Sequence, residues 1–243
     1  LGLLKMDFLG LRTLTVIRDA ETAVQKHHPE FSIQKLDYDD PETYKMLGQG
    51  DTEGVFQLES SGMKQVLVGL QPQNLEDVIA LISLYRPGPM DSIPTYLRNR
   101  HEPDKISYKT PQLAHILDVT NGCIVYQEQV MQIFRELAGF SFGQADNVRR
   151  AMSKKKHAVM EAEREHFVHG CTEPGHECPG CVANGISEKV ANEIYDEMSS
   201  FASYAFNKSH AACYAYVAFQ TAYLKCHYPS EFMAALLTSV LDN

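Results

Sequence analysis

The sequence predicts a mainly α-helical protein. Three observations lead to this prediction: apolar residues recur at helical spacing along most of the chain, N-cap residues precede several of these segments, and alternating segments typical of strands are short and few. We expect about eight to ten helices, very few strands and no internal repeat. The chain has 243 residues, of which 44% are hydrophobic and 22% charged, so it is long enough for one or two domains with hydrophobic cores.

Composition excludes several classes of protein. The formal net charge is −9, which argues against a protein whose whole surface binds nucleic acid, so any such contact has to be local. No apolar run is long enough to cross a bilayer, and we see no signal peptide. The uneven spacing of the six cysteines is not that of a secreted disulfide framework, so we expect a protein of the reducing cytoplasm. Because Leu1 opens the chain inside a strand-like pattern, we expect a segment of a longer protein.

The first segment, 3–9, alternates between apolar and polar residues and is predicted to be a strand. Lys5 and Asp7 share its polar face. This face belongs either to a half-exposed edge strand with an incidental ion pair, or to a strand that presents a carboxylate to a divalent metal ion. After Gly10 we expect a helix over 11–28, with Leu14, Ile17 and Val24 facing inward.

The next elements are mostly short. We expect helices over 41–47, 60–70, with Ser60 or Ser61 as the N-cap, and 75–85, and a short strand over 55–58. The two prolines of the following Arg86-Pro-Gly-Pro-Met90 segment predict that the helix over 75–85 ends there and that a stiff, extended segment follows. Arg86 is either a positioned phosphate contact or a cap at the C-terminus of the preceding helix.

The second half of the chain is more strongly helical. We expect a short helix near 111–117, a β-like segment at 124–126, and further helices over 127–138, 141–156 with a continuation to 168, 187–198, 209–228 and 231–241. Ser209 and Ser230 are the predicted N-caps of the last two helices. The helix over 209–228 is apolar on nearly every side, which predicts that it is buried.

The helix predicted over 141–156 is strongly basic. Ser141 and Gln144 form a capping-box pattern, and an apolar face follows from Ala145. No acid lies between the first and last of its cations, which are Arg149, Arg150, Lys154, Lys155 and Lys156. Like charges on one helix repel each other, so this face either binds an external anion such as polyphosphate or is a solvated basic surface.

A Cys/His-rich segment, HGCTEPGHECPGC, spans 169–181. The Cys178-Pro-Gly-Cys181 spacing is typical of a zinc knuckle, and Cys171 and His176 would complete a set of four Zn²⁺ ligands, with His169 in reserve. The alternative is an insertion that carries free cysteines. Few apolar side chains are available there to offset the ordering entropy, which favours zinc.

Six motifs, in order, resemble the bacterial replicative DNA polymerase III alpha subunit family, the C-family DNA polymerases. They are KMDFLGLRTLT, GVFQLESSGMK, RPGPM, VYQEQVM, RRAMSKKK and FNKSHAACYAYVAFQTAYLKCHYPSEFMAALL. The resemblance implies that residues 1–50 end the palm with its last catalytic strand and the following helix. Residues 51–243 would then form a helical fingers domain, with the Cys/His-rich loop at 169–185. Two features depart from the family: Ser153 replaces a frequent Gly, and better-known members lack the Cys/His cluster.

The resemblance also implies a chemistry, which is DNA-templated nucleotidyl transfer from dNTPs by two Mg²⁺ ions held on carboxylates. Asp7 would be one of three palm carboxylates, the other two lying upstream of Leu1, so the chain alone should be inactive. Lys5 would reach the triphosphate, and Arg149 and Arg150 would clamp its β- and γ-phosphates. The remaining expected nucleotide contacts are Lys154, Lys155, Lys156, Arg86, Asn207, Lys208, His210, Tyr126 and Gln127.

The expected partners are primer-template DNA, the incoming dNTP and, through other regions of the parent protein, replisome subunits such as the sliding clamp. We expect a bacterial cytoplasmic location at the nucleoid. The rival hypothesis is a non-enzymatic helical module that uses its basic ridge to bind phosphates or an acidic partner. Asp7 beside Lys5 distinguishes the two, because a two-metal polymerase needs a carboxylate at its phosphate site and a simple binding module does not.

Overall fold

The computed structural model describes residues 2–6, 10–154, 157–202 and 204–241. This part of the chain is mainly α-helical, as predicted, and contains thirteen α-helices and no strand. They are α1 Arg12–Val24, α2 Pro41–Gly48, α3 Ser61–Leu70, α4 Leu75–Leu84, α5 Ile93–His101, α6 Ala114–Leu117, α7 Gln127–Ala138, α8 Phe142–Ser153, α9 His157–His169, α10 Gly180–Ala183, α11 Glu188–Ala202, α12 Lys208–His227 and α13 Pro229–Thr238. None of the helices in these ranges is long and apolar enough to cross a membrane.

The chain forms two compact units. The first unit contains residues 1–77 and 213–243, and the second contains residues 78–212. The boundary that we predicted at residue 50, between palm and fingers, is a boundary within the parent protein and stays a prediction.

One hydrophobic cluster of the first unit lies between α1 and α13. Val16, Ile17 and Ala20 of α1 pack with Phe232 of α13 in one cluster of buried residues. We predicted that Leu14 faces inward. This prediction is wrong, because Leu14 is 51% exposed. At about 100° per residue, Leu14 lies roughly 100° from the centre of the buried stripe, so it falls outside the core face.

Both strand predictions in the first unit are wrong where the structure describes the residues. Residues 3–6 have no regular secondary structure and are exposed, and the described ranges offer them no partner strand, which a strand requires for its hydrogen bonds. Asp7 lies outside the described residues. Residues 56–58 form a turn, and Val55 and Leu58 are fully buried. Val55 and Leu58 are three positions apart, so in a strand their side chains would point to opposite faces. The turn instead allows both of them to be buried.

Most helices of the second unit have the predicted bounds within a few residues. Two helices of this unit were not predicted. The four-residue α10 lies in the segment that we expected to be a loop, and α5 was not predicted because only Ile93 and Tyr96 of its nine residues are buried. Such a helix lacks the apolar periodicity on which the prediction depends. In the first unit, Asp40 caps α2, and Ser60 caps α3 as expected. Ser230 is wrong as the cap of the last helix, because Pro229 already occupies the first turn of α13.

The core of the second unit is built by α7, α8, α9 and α11. Phe134 of α7 is fully buried at its centre, with the rings of Phe140, Phe167 and Tyr195 at centroid distances of 5.3, 5.0 and 6.0 Å. Val148 and other apolar residues of α8 face this core. The polar face of α8 is thereby held against the start of α7.

Candidate functional site

The segment around Phe206 pairs with the residues that precede α7. The Phe206 N–H donates to the Val125 carbonyl at 3.3 Å, and the Gln127 N–H donates to the Phe206 carbonyl at 2.9 Å, so Tyr126 and Phe206 form a parallel bridge. The Gln127 side chain adds a bond from Nε2 to the Ala205 carbonyl at 2.9 Å. Tyr126 and Gln127 therefore lie beside the segment that contains Asn207, Lys208 and His210, although about 80 residues of chain separate them.

The start of α12 is fixed by Glu128 of α7. Asn207 Nδ2 donates to Glu128 Oε1 at 3.0 Å, and the Lys208 N–H donates to Glu128 Oε2 at 3.2 Å. Asn207 Oδ1 in turn accepts the His210 N–H at 2.9 Å. Asn207 is therefore the residue that caps α12, and the prediction of Ser209 is wrong by two positions. The carboxylate of Glu128 lies at the positive end of the helix dipole, where it is stabilising.

Arg149 is held from two sides. Its Nε and Nη2 donate to Asp146 Oδ1 at 3.0 and 2.7 Å, and its Nη1 donates to Gln127 Oε1 at 3.0 Å. The side chain of Arg149 is only 16% exposed. Arg149 of α8 is thus connected through Gln127 to the segment around Ala205.

Asp146 supplies negative charge that the sequence analysis overlooked. Asp146 lies one helical turn before Arg149, outside the acid-free stretch from Arg149 to Lys156. Its Oδ2 accepts from Arg150 Nε at 2.7 Å, so one carboxylate bonds to both arginines. The bonds from Arg149 and Arg150 hold the pKa of Asp146 below its usual value, although partial burial acts in the opposite direction.

The two arginines differ in exposure. Arg150 has a side chain that is 65% exposed, and Lys154 at the end of α8 is also exposed. Lys155 and Lys156 lie outside the described residues. The two arginines and the single carboxylate of Asp146 leave this face of α8 with a net positive charge, to which Lys154 adds.

A cavity of about 480 Å³ opens beside Arg149. Its lining combines two guanidiniums, three carboxylates, amides and an exposed aromatic ring, and consists of Gln127, Glu128, Met131, Gln132, Arg135, Glu136, Phe142, Asp146, Arg149 and Asn207. Its size falls within the range of small-molecule sites. Of the predicted nucleotide contacts, the structure brings Arg149, Gln127 and Asn207 to this cavity.

Arg86 is occupied by contacts within the second unit. Its Nη2 donates to the Tyr204 carbonyl at 2.5 Å, its Nε donates to the Ser83 carbonyl at 3.0 Å, and its guanidinium carbon lies 4.2 Å from the centroid of the Phe206 ring. Burial lowers the pKa of Arg86. The bond to Ser83, in the last turn of α4, corresponds to the capping alternative that the sequence left open.

Tyr126, Lys208 and His210 are not among the residues that line this cavity. The Lys208 ammonium lies 5.2 Å from the centroid of the Tyr126 ring, and the His210 ring meets the Phe206 ring edge-on at 5.2 Å. Lys5 is exposed in a segment without regular structure, and Asp7 lies outside the described residues.

The Cys/His-rich loop is packed onto the core of the second unit. Cys171 and Cys178 exchange two backbone hydrogen bonds of 2.9 Å as an antiparallel bridge, and Cys178 and Cys181 belong to the hydrophobic cluster around Phe134. Burial raises the pKa of Cys178, and it raises that of Cys181 to about 12.

The described residues contain no group of three or more Cys, His, Asp or Glu side chains placed to hold a metal ion. The predicted zinc set of Cys171, His176, Cys178 and Cys181 is therefore not brought together. Protein contacts already order part of this loop, because its buried cysteines join the core and the backbone at Gly180 (φ +78°) lies too close to the Gly170 backbone for a Cβ to fit. Zinc binding by these four residues stays a prediction.

Comparisons with known proteins agree with the resemblance noted in the sequence. The sequence model of the bacterial DNA polymerase III alpha subunit finger domain matches residues 13–175. A DNA polymerase III subunit alpha of Thermus aquaticus is 51% identical over 98% of this chain and 19% of its own length. Those of Bacillus subtilis (strain 168) and Staphylococcus aureus (strain COL) are 47% and 46% identical over 100% of this chain and 21% and 22% of their own lengths. The chain thus spans about a fifth of the length of these relatives.

These matches define the class of protein as a finger domain of a bacterial polymerase. The chain belongs to the DNA polymerase III alpha subunit family. The match begins at residue 13, within the stretch that the resemblance assigned to the palm.

Proposed function

We propose that this chain is the fingers part of a DNA-templated DNA polymerase and that the cavity beside α8 receives the triphosphate of the incoming dNTP. Membership of the DNA polymerase III alpha family is the observation that carries the proposal. The complete polymerase would act on primer-template DNA in the bacterial cytoplasm and assemble with other replisome subunits, including the sliding clamp.

The arrangement of Arg149 supports a phosphate role. A guanidinium presents its N–H groups in a planar fork that matches phosphate oxygens, and this one borders a polar cavity. Arg150 and Lys154 are exposed on the same helix and would add to the positive field. Lys155 and Lys156 keep their predicted role in that field. Tyr126, Lys208 and His210 would border the nucleotide, because the Phe206 segment pairs with the start of α7.

The metal chemistry rests on Asp7, which we propose as one ligand of the two Mg²⁺ ions, with Lys5 directed to the triphosphate. Bound Mg²⁺ would activate the primer hydroxyl and neutralise the triphosphate. Since one carboxylate does not hold two such ions, we expect no primer extension by the chain alone. Asp7→Asn in the complete polymerase should abolish extension, and normal extension by this variant would contradict the assignment.

The triphosphate role is tested with Arg149→Ala in the complete polymerase that contains this chain. A hydrogen bond to a charged group contributes roughly 1.5–3 kcal/mol, so kcat/KM for dNTP should fall about 10–100-fold, while affinity for primer-template DNA should change little. The measurements are single-nucleotide incorporation on a synthetic primer-template and DNA binding by fluorescence anisotropy.

Arg164→Ala is the matched control. Arg164 is 22% exposed and, like Arg149, donates to an aspartate and to an amide oxygen, Asp196 Oδ1 at 2.6 Å and Asn192 Oδ1 at 3.3 Å. It is absent from the lining of the cavity. Its loss should leave the dNTP kinetics within about twofold of the parent. A variant Arg149→Ala that weakened DNA binding and kept normal dNTP kinetics would refute the proposed role.

A further inference from the structure

We propose that Asp146 is a positioning residue that orients Arg149 and Arg150 for the triphosphate. This inference rests on the proposed function of the cavity beside α8. It concerns a carboxylate that the sequence analysis did not assign to any role, and whose charge would by itself repel the anionic ligand.

The first step is the direction that Asp146 imposes on Arg149. Its Oδ1 accepts from both Nε and Nη2 of Arg149, at 3.0 and 2.7 Å, which occupies one edge of the guanidinium plane. Gln127 Oε1 accepts from Nη1 at 3.0 Å. A plane held at two edges has little rotational freedom left, so the orientation of Arg149 is set before any ligand arrives.

The second step is the number of donors that remain. A guanidinium has five N–H groups. Counting only partners in the described part of the chain, three of them are used by Asp146 and Gln127, which leaves two for an anion. Arg149 and Asp146 both line the cavity, so we expect the two remaining N–H groups to be available to a ligand bound there. The orientation is therefore achieved without exhausting the binding capacity of Arg149.

The third step is the sharing of one carboxylate by two cations. Oδ2 of Asp146 accepts from Arg150 Nε at 2.7 Å while Oδ1 serves Arg149. The group of three side chains keeps a net charge of about +1 at neutral pH, so it still attracts a triphosphate. A side chain that is already ordered binds with a smaller entropic cost, and pairing with two arginines weakens the repulsion between the carboxylate and the ligand. We therefore expect Asp146 to favour binding on balance.

The test uses Asp146→Ala and Asp146→Asn in the complete polymerase, with rapid-quench incorporation of dTTP opposite template dA. Asp146→Ala should raise the apparent Kd for dTTP about tenfold and leave the maximal rate within about threefold. Asp146→Asn should have a smaller effect, because its amide oxygen can still accept from Arg149. Some effect should remain, because the NH₂ group is a donor and does not accept the hydrogen bond from Arg150 Nε. Asp196→Ala is the matched control, since it removes the corresponding partner of Arg164, and it should leave the Kd unchanged.

A double-mutant cycle separates this inference from the function on which it rests. If Arg149→Ala itself leaves the Kd for dTTP unchanged, the proposed triphosphate role fails. If Arg149→Ala raises the Kd and Asp146→Ala leaves or lowers it, the carboxylate competes with the nucleotide and the positioning role is overturned. In the Arg149→Ala background, Asp146→Ala should have clearly less than its tenfold effect. Full additivity would show that Asp146 acts independently of Arg149 and would also overturn the inference.

Discussion

Arg86→Ala distinguishes a structural role of Arg86 from the nucleotide contact that the family resemblance implied. The side chain donates to the carbonyls of Ser83 and Tyr204 and lies over the ring of Phe206. A hydrogen bond to a charged group contributes about 1.5–3 kcal/mol, and a partly exposed cation–π contact adds about 0.5–1 kcal/mol. Because Arg86 is only half-buried, we expect a loss of about 2–3 kcal/mol in the free energy of unfolding of the second unit.

Urea unfolding of the chain, followed by far-UV circular dichroism, measures this loss. With a slope of about 2–3 kcal/mol/M, the midpoint should fall by roughly 1 M. Hydrogen exchange gives the local readout, since the hydrogen bond to Tyr204 and the cation–π contact with Phe206 hold the segment at 204–206. Amides in that segment should exchange faster in the variant, whereas those of α13 in the first unit should not change.

The matched control is Arg18→Ala, whose 70% exposed side chain pairs with the neighbouring Asp19. A surface pair of this kind contributes about 0–1 kcal/mol, so the midpoint should barely move. Arg86→Lys keeps the positive charge and loses the planar stacking and the second carbonyl bond, so it should recover only part of the stability. If Arg86→Ala kept the parent midpoint and raised the KM for dNTP, the structural role would be refuted and the phosphate contact supported.

Three further predictions concern the second unit. Phe134→Ala should lower the free energy of unfolding by about 3–5 kcal/mol in urea, because it empties a fully buried aromatic site, and a loss below 1 kcal/mol would contradict this core. Ser141→Ala should cost about 1 kcal/mol by removing the hydroxyl that accepts the Gln144 N–H at 3.3 Å, and Ser141→Asp should restore most of it. Burial raises the pKa of Cys181 from 9.0 to about 12. The stability that its protonated thiol contributes is therefore complete below pH 9 and should be lost as the pH rises towards 12, and Cys181→Ala should lose less stability over the same range. A zinc thiolate would behave oppositely, with stability lost on acidification or on addition of EDTA.

The features that follow from short sequence distances were predicted from the sequence alone. α7 begins and ends at the expected residues, and the capping box of Ser141 and Gln144 is present. The apolar face of α8 is buried as its period indicated. Each of these depends on interactions within one or two helical turns, which the spacing of residues determines directly. The mainly helical fold and the family followed for the same reason, because periodicity and motifs are local.

Whether a predicted strand forms depended on tertiary structure. The alternation over 3–6 resembles a strand, but a strand is stable only beside another, and the described residues provide no partner.

The environment of the cysteines in the Cys/His-rich loop also depended on tertiary structure. Its spacing indicates zinc, whereas the depth at which Cys178 and Cys181 are packed against the core of the second unit decides that they lie among apolar side chains. Burial is a property of the whole fold, and no spacing rule contains it.

The candidate site shows the division between the two kinds of information most clearly. The sequence alone identified the cationic residues of α8 and the motif that contains Asn207. It did not indicate that Gln127 accepts from Arg149 across 22 residues, nor that Arg86 donates to Tyr204 across 118. Hydrogen-bond partners so far apart are determined by how the helices pack, because packing fixes which polar groups come within 3 Å of each other. The sequence therefore predicted which charged residues belong to the site, and only the tertiary structure determined their orientations and hydrogen-bond partners.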